Sequence, residues 1–165
     1  MRLALALAVA TASVAVAAAA EAPTFAVRFL TPETALKAAQ AALAKCRAQG
    51  YQVSVAVLDR SGIAQVLLRD RHAGPHTVVV AGNKAWTAVS FRTSTRDLER
   101  LTRPGEAMSG LRSVPRFVAI GGGITIEAGG SLMGAIGVSG APGGDADHAC
   151  AAAGVAAIAE ELELQ

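Results

Sequence analysis

Among the three histidines of the 165-residue sequence, His76 has the surroundings best suited to binding chemistry. It follows Gly74-Pro75, a break in regular structure, and precedes an apolar stretch that predicts a helix. A side chain at such a junction can point into a cleft, where a neutral imidazole is able to bind a metal. The alternative is a structural histidine that caps the helix. His72 lies four residues earlier, but the Gly-Pro break prevents one helix from carrying both imidazoles, which disfavours a two-histidine zinc site.

Arginines form the second group of side chains with chemical potential. Arg92, Arg96 and Arg100 are spaced by four residues, so they would share one face of a helix, and Arg103 follows closely. Planar guanidinium groups bind carboxylates through paired hydrogen bonds, which suits an anionic ligand. The alternative is a solvated or interface face on which the arginines pair with neighbouring carboxylates.

Three further motifs are better explained by structure than by catalysis. Gly-Val-Ser-Gly at 137–140 resembles a nucleophile elbow, but its second glycine comes one residue too early for Gly-x-Ser-x-Gly. Asp145 and Asp147 precede His148 as in a metal cluster; we expect instead that Asp145 is the N-cap of the last helix and that Asp147 complements its dipole. The glycines at 121–123 do not lie between a strand and a helix, which disfavours a phosphate-binding loop.

Two cysteines, Cys46 and Cys150, complete the reactive side chains. Neither belongs to a Cys-x-x-Cys motif, which disfavours a metal or redox role for the pair. In an oxidising compartment they can form one disulfide, and we expect this bridge. Closing a loop of roughly 100 residues contributes on the order of 4 kcal/mol in the chain-entropy model. The alternative is two buried free thiols that act as small apolar side chains.

The N-terminal segment predicts export. Met1-Arg2 precedes an apolar run that ends in small residues before Glu21, as in a secretory signal peptide. An uncleaved membrane anchor is the alternative, but alanine dominates the run and contributes little to insertion. We therefore expect a signal peptide at 1–20 and one domain at 21–165, in the periplasm or secreted. The balance of 15 basic and 13 acidic residues, with 4% aromatic residues, argues against nucleic-acid binding.

Periodicity predicts the elements that must position these groups. Thr31 caps a first helix, a valine-rich hairpin follows, two helices precede a glycine-rich region of short strands, and an alanine-rich helix ends the chain. This order predicts an α+β domain in which helices cover a mainly antiparallel sheet of five strands. The predicted helices are 32–49, 76–91, 94–101 and 145–162, and the predicted strands are 53–59, 63–69, 116–120, 124–127 and 131–138.

Five segments stand out in combination: Val-Ala-Val-Leu-Asp-Arg-Ser-Gly at 55–62, Asn-Lys-Ala-Trp-Thr-Ala at 83–88, Gly-Gly-Gly-Ile-Thr-Ile at 121–126, Gly-Ala-Ile-Gly-Val-Ser-Gly at 134–140 and Cys-Ala-Ala-Ala-Gly at 150–154. With them the sequence resembles the GlcG/HbpS family of haem-binding proteins over about residues 30–163. The resemblance implies a profilin-like fold, with a five-stranded antiparallel sheet between helices, and homo-oligomers that are often octameric. In that fold the first and last helices lie side by side, which supports the predicted disulfide.

The resemblance also implies haem as the ligand. Family members hold haem at the protein surface near oligomer contacts, with iron ligands that vary and include histidine and threonine. Ala-Gly-Pro-His-Thr at 73–77 matches the segment after the second strand, so His76 is the first candidate for the axial ligand and Thr77 the second. The three arginines at four-residue spacing would then bind the haem propionates.

The sequence therefore predicts an exported, homo-oligomeric haem-binding protein that captures or sequesters haem for uptake or sensing. One alternative is a small-molecule enzyme, acting in haem degradation or organic-acid metabolism, although no convincing nucleophile or acid–base pair supports it. Another is a protein-binding sensor accessory whose ligand is incidental. We expect haem or a similar small ligand, an uptake or sensor partner, no nucleic acid, and no membrane span after signal removal.

Overall fold

The computed structural model describes residues 22–164, so the predicted signal peptide at 1–20 lies outside the described residues. This part of the chain is an α+β domain, as predicted. None of its helices is both long enough and apolar enough to cross a membrane. In chain order the elements are α1 (Pro32–Ala48), β1 (Ser54–Asp59), β2 (Ala64–Arg69), α2 (Pro75–Phe91), α3 (Thr95–Leu101), a 3₁₀ turn (Ser109–Ser113), β3 (Gly123–Ala128), β4 (Ser131–Ser139) and α4 (Gly144–Glu163).

The described strands form one antiparallel sheet in the order β2-β1-β4-β3. Because side chains alternate between the two faces of a strand, Val55 and Val57 of β1 pack in the core beneath α1 and α4. Ala56 and Leu58 belong to a second cluster beneath α2. The sheet is therefore covered by two helices on one face and by α2 on the other, and removal of these apolar side chains from water stabilises both layers.

Residues 116–120 do not form a strand, so the predicted five-stranded sheet is wrong and the described residues contain four strands. Arg116 adopts a left-handed φ of 70°, and Phe117 N donates to Val114 O in a turn. Val118 N then donates to Thr87 Oγ1 on α2 at 3.0 Å. Because these main-chain groups bond to a turn and to a helix side chain, they are not available for a strand ladder.

The structure confirms one predicted helix cap and corrects another. The hydroxyl of Thr31 accepts a hydrogen bond from Thr34 N at 3.2 Å, and Pro32 occupies the first turn of α1. Asp145 is not the N-cap of the last helix, because Gly143 holds that position and Asp145 lies in the first turn. The φ of Gly143 is 121°, in the region that favours glycine over aspartate. As a result α4 begins without a side-chain cap.

A disulfide joins Cys46 on α1 to Cys150 on α4, as predicted, with the two Cα atoms 5.5 Å apart. Both cysteines are fully buried. The two helices approach closely because Gly154 has no side chain: a Cβ there would lie 2.7 Å from Ala38 O. The bridge therefore ties the first and last helices together across a sequence separation of 104 residues.

Candidate functional site

A buried carboxylate holds the loop that leads from β2 into α2. Asp70 is 1% exposed and accepts hydrogen bonds from Arg47 Nε at 2.8 Å, Arg47 Nη2 at 2.9 Å and Arg71 N at 2.8 Å. The paired guanidinium contact favours the ionised carboxyl and lowers the pKa of Asp70 from 3.8 to about 2. Ala73 N donates to the main-chain oxygen of the same aspartate. The chain therefore enters α2 in a defined orientation.

Replacing Asp70 by asparagine is expected to lower the free energy of unfolding by about 1–2 kcal/mol near neutral pH. We expect a value in the lower part of the range for charged hydrogen bonds, because the side chain of Arg47 is half exposed and water screens its charge. The folded pKa lies below the unfolded value, so this stabilisation is present above 3.8 and is lost as the pH falls towards about 2. Urea unfolding of both proteins at neutral and acidic pH measures the effect. A difference that stays constant into acid would contradict this assignment.

The imidazole of His76 is exposed in the first turn of α2. Its ring packs against Gly74, where an added Cβ would lie 2.7 Å from His76 Cε1. Val79 follows at a spacing of three, shares the same helical face and is 63% exposed. The imidazole therefore has an exposed aliphatic neighbour.

The β1–β2 hairpin extends this exposed apolar surface. Trp86 lies two helical turns after Val79 on the same face of α2. It contacts the hairpin turn at Gly62, where an added Cβ would lie 3.2 Å from Trp86 Cδ1. Leu67 pairs with Ala56, which packs beneath α2, so Leu67 faces the same side of the sheet. It is 50% exposed because α2 lies mainly over β4 and β1 and leaves most of β2 uncovered. We call Leu67, Val79 and His76 the His76 surface.

Thr77, the second candidate ligand, is directed into the protein. It is 1% exposed, and its hydroxyl donates to Gly74 O at 2.6 Å and lies 2.8 Å from Ser54 Oγ. Since the Thr77 proton is used on Gly74, Ser54 donates to Thr77, and both hydrogen-bonding roles of the hydroxyl are satisfied. The structure therefore separates the two candidates: the imidazole is at the surface and the hydroxyl is in the interior.

The three predicted arginines do not share one helical face. Arg92 ends α2 as a left-handed C-cap with φ of 51°, whereas Arg96 and Arg100 belong to α3. The predicted shared helical face is therefore wrong for Arg92, because a left-handed residue ends a helix. Arg96 and Arg100 lie four residues apart on α3 and line one pocket. Arg92 is about 24 Å from His76 along the axis of α2. This separation of Arg92 and His76 is longer than the distance from a haem iron to the propionates of the same haem.

Arg96 and Arg100 line a pocket of about 430 Å³ beside the start of α4, which we call the arginine pocket. Neither His76 nor Thr77 lines it, so the structure does not bring the predicted iron ligands and the predicted propionate ligands together in one pocket of the described residues. Arg96 is ion-paired with an aspartate of the pocket wall. The wall also contains Asp97, Glu99, Arg103, Ile120, Gly144 and Asp145, the last being the aspartate paired with Arg96.

Sequence reasoning missed a buried ion pair between Lys84 on α2 and Asp147 on α4. Lys84 Nζ and Asp147 Oδ2 are 2.7 Å apart, and the side chains are 2% and 5% exposed. Ala141 N donates to the other carboxylate oxygen at 3.0 Å. Burial lowers the pKa of Lys84 and raises the pKa of Asp147, and the opposite charge of each partner limits both shifts. The signal in the sequence was that this lysine falls on the buried alanine face of α2.

The arrangement defines a class of protein: a small α+β domain with a cross-link between its terminal helices, an exposed imidazole and an arginine-lined pocket. Within residues 22–164, no group of three or more His, Cys, Asp or Glu side chains is placed to hold a metal ion. Residues 30–156 match the family described as haem degrading protein HbpS-like. The chain belongs to this family, which confirms the resemblance seen in its motifs.

Relatives of known structure share the fold. A double mutant of Streptomyces reticuli HbpS is 38% identical, with a TM-score of 0.77 over 87% of this chain and 97% of that one. The PduOC:haem complex is 31% identical, with a TM-score of 0.76 over 79% and 96% of the two chains. The corrinoid adenosyltransferase PduO of Salmonella typhimurium is 39% identical over 98 residues, which is 57% of this chain. The match spans only 29% of the length of that enzyme.

Proposed function

We propose that this protein is an exported haem-binding protein that captures haem through His76. The observation that carries the proposal is the His76 surface: an exposed imidazole lies one helical turn before exposed Val79, and Leu67 is exposed on the same side of the sheet as α2. Haem is a flat apolar macrocycle whose iron accepts a neutral imidazole, so this surface offers an iron ligand and apolar contact area together. The PduOC:haem complex supports the proposal because it is a haem complex of a relative with the same fold.

The position of Thr77 favours His76 as the iron ligand. For its hydroxyl to reach iron, Thr77 would have to leave the interior and break its hydrogen bonds to Gly74 and Ser54. Leaving buried polar groups without partners costs free energy, whereas the exposed imidazole needs no such rearrangement. The hydroxyl of Thr77 then serves to hold the first turn of α2, and with it His76, above β1.

Haemin titration followed by absorption spectroscopy tests the proposal. The His76→Ala variant is expected to bind haemin at least about tenfold more weakly, with shifted Soret and visible bands, because it lacks the nitrogen ligand. The matched control is His72→Ala, which removes another exposed histidine four residues earlier and should leave spectrum and affinity unchanged.

A Thr77→Val variant tests the second candidate in the same assay. We expect weaker folding stability from the loss of two buried hydrogen bonds, with the Soret position unchanged in the folded protein. Circular dichroism verifies folding of each variant. Unchanged haemin binding by folded His76→Ala would overturn the assignment of the ligand, and no Soret change for any of the proteins at stoichiometric haemin would overturn the haem proposal.

Two observations support a location outside the cytoplasm. The pattern of residues 1–20 is typical of a secretory signal peptide, and disulfides such as Cys46–Cys150 persist in oxidising compartments. The proposed role there is capture or sequestration of haem, with delivery to an uptake or sensing partner. Homo-oligomeric assembly, octameric by the resemblance, remains a prediction.

Haem degradation is a second candidate function, favoured by the description of the family. The haemin-loaded protein distinguishes the two functions when it is supplied with a reductant and oxygen. A degrading enzyme would destroy the Soret band and release iron over many turnovers, whereas a binding protein would retain the macrocycle. The activity of the full-length PduO relative is not proposed for this chain, because the match covers less than a third of that enzyme.

A further inference from the structure

We infer that the arginine pocket binds a small dianion, of the dicarboxylate or phosphate type, at a site separate from the His76 surface. Its volume of about 430 Å³ lies within the range of small-molecule sites. The inference does not depend on haem binding, because none of the three residues of the His76 surface lines this pocket.

Two guanidinium groups of the pocket are available to a ligand. Arg100 and Arg103 are exposed and form no ion pair with any residue in 22–164. Arg96 is held against the wall by Asp145. Guanidinium forks bind carboxylate and phosphate oxygens through two parallel hydrogen bonds, so an oxyanion fits the two unpaired arginines.

The start of α4 forms another part of the wall. Gly144 is the first residue of a 20-residue helix that has no side-chain cap, so the N–H groups of the first turn lack acceptors within the helix and attract an oxyanion. A Cβ on Gly121 would lie 2.6 Å from Gly144 O, and this close contact keeps neighbouring Ile120 against the pocket. Positive potential thus comes from α3 and from α4, which suits a ligand with two negative charges.

Three carboxylates, those of Asp97, Glu99 and Asp145, line the same pocket and offset part of this potential. Asp97 is hydrogen-bonded to the N-cap Ser94 at 2.7 Å, and Asp145 is paired with Arg96. Asp97 keeps its negative charge in that hydrogen bond, so Asp97 and Glu99 both oppose Arg100 and Arg103. Replacement of Glu99 by glutamine is therefore expected to tighten binding of a dianion.

Isothermal titration of the intact protein with succinate and, separately, with inorganic phosphate tests the inference and distinguishes the two sources of the dianion. Binding of either is expected to weaken at least about tenfold in the Arg100→Gln/Arg103→Gln variant, which loses the charged hydrogen bonds. Added salt should also weaken it. The matched control is Arg92→Gln, which removes an exposed arginine outside the pocket and should have no effect.

Three results would overturn the inference: no binding of either anion at millimolar concentration, equal binding by the double arginine variant, or equal binding of neutral succinamide. Haemin titration of the double variant tests whether the site is separate. We expect unchanged haemin affinity, and a loss of affinity would assign these arginines to the haem propionates instead. Failure of haem binding in all proteins, with succinate or phosphate binding retained, would overturn the proposed function and leave this inference standing.

Discussion

Replacing Lys84 by methionine is expected to lower the free energy of unfolding by about 3–5 kcal/mol, because the change leaves a buried carboxylate without its counter-charge. Asp147 would keep its hydrogen bond from Ala141 N but lose the ammonium group at 2.7 Å. The site is closely packed, since a Cβ on Gly122 would lie 3.0 Å from Lys84 Nζ, so little room exists for water to replace the lost charge. Urea unfolding at neutral pH measures the loss.

The double variant Lys84→Met/Asp147→Leu is the control for this prediction. We expect it to be more stable than the Lys84→Met protein, because removal of both charges leaves no unpaired ion in the interior. Burial already raises the pKa of Asp147, and loss of Lys84 raises it further, so acidification should protonate the carboxyl and reduce the deficit of the single variant. A double variant less stable than the single variant, or a deficit that grows in acid, would contradict this account of the pair.

Removing the disulfide with Cys46→Ala/Cys150→Ala is expected to lower the free energy of unfolding by about 4 kcal/mol. The physical reason is the unfolded state: the bridge spans 104 residues of sequence, so its loss restores much conformational freedom to the unfolded chain. Both positions are fully buried, and alanine preserves an apolar side chain of small volume at each. Denaturant unfolding of the variant beside the oxidised protein measures the effect.

The reduced form of the unchanged protein is the control for the alanine variant. It should unfold at nearly the same denaturant concentration as the variant, because both lack the cross-link and keep the α1–α4 packing. Mass spectrometry of the protein purified without reductant should give two hydrogens fewer than the reduced form. Free thiols that titrate fully in the protein purified without reductant, or equal stability with and without the bridge, would contradict the prediction.

The two proposed sites lie in different parts of the fold, with consequences for ligand binding. The His76 surface combines the first turn of α2 with β2, whereas the arginine pocket combines α3 with the start of α4. Substitutions in one should therefore leave the ligand of the other bound. Independent effects are expected for side chains that are far apart and share no partners.

Local sequence patterns predicted the elements whose hydrogen bonds are mostly short-range. Thr31 followed by proline predicted the start of α1, and valine alternation predicted β1 and its hairpin, because caps and strand faces depend on residues a few positions apart. The α+β class followed from the order of these elements. The resemblance to the GlcG/HbpS family then supplied the family, which the match over residues 30–156 confirms.

Tertiary structure decided the features that depend on segments distant in sequence. The apolar residues at 117–120 have the pattern of a strand, but Val118 N donates to Thr87 on α2 instead of to a neighbouring strand. The periodicity of the local sequence does not predict this long-range partner. Spacing by four placed Arg92 with Arg96, yet a left-handed turn ends the helix between them. Lys84 and Asp147 are 63 residues apart, and their side chains meet beside Gly122, just before β3.

The sequence by itself therefore determined the class of fold, the helix and hairpin signals, the pair of cysteines able to cross-link the chain, and the residue types able to bind haem or an anion. Only the tertiary structure decided that His76 is exposed while adjacent Thr77 is buried, and that Arg96 and Arg100 lie in a separate pocket that Arg92 does not line. The physical reason is that residue type and local spacing set what a side chain can do. Its burial and its partners depend on which distant segments pack against it.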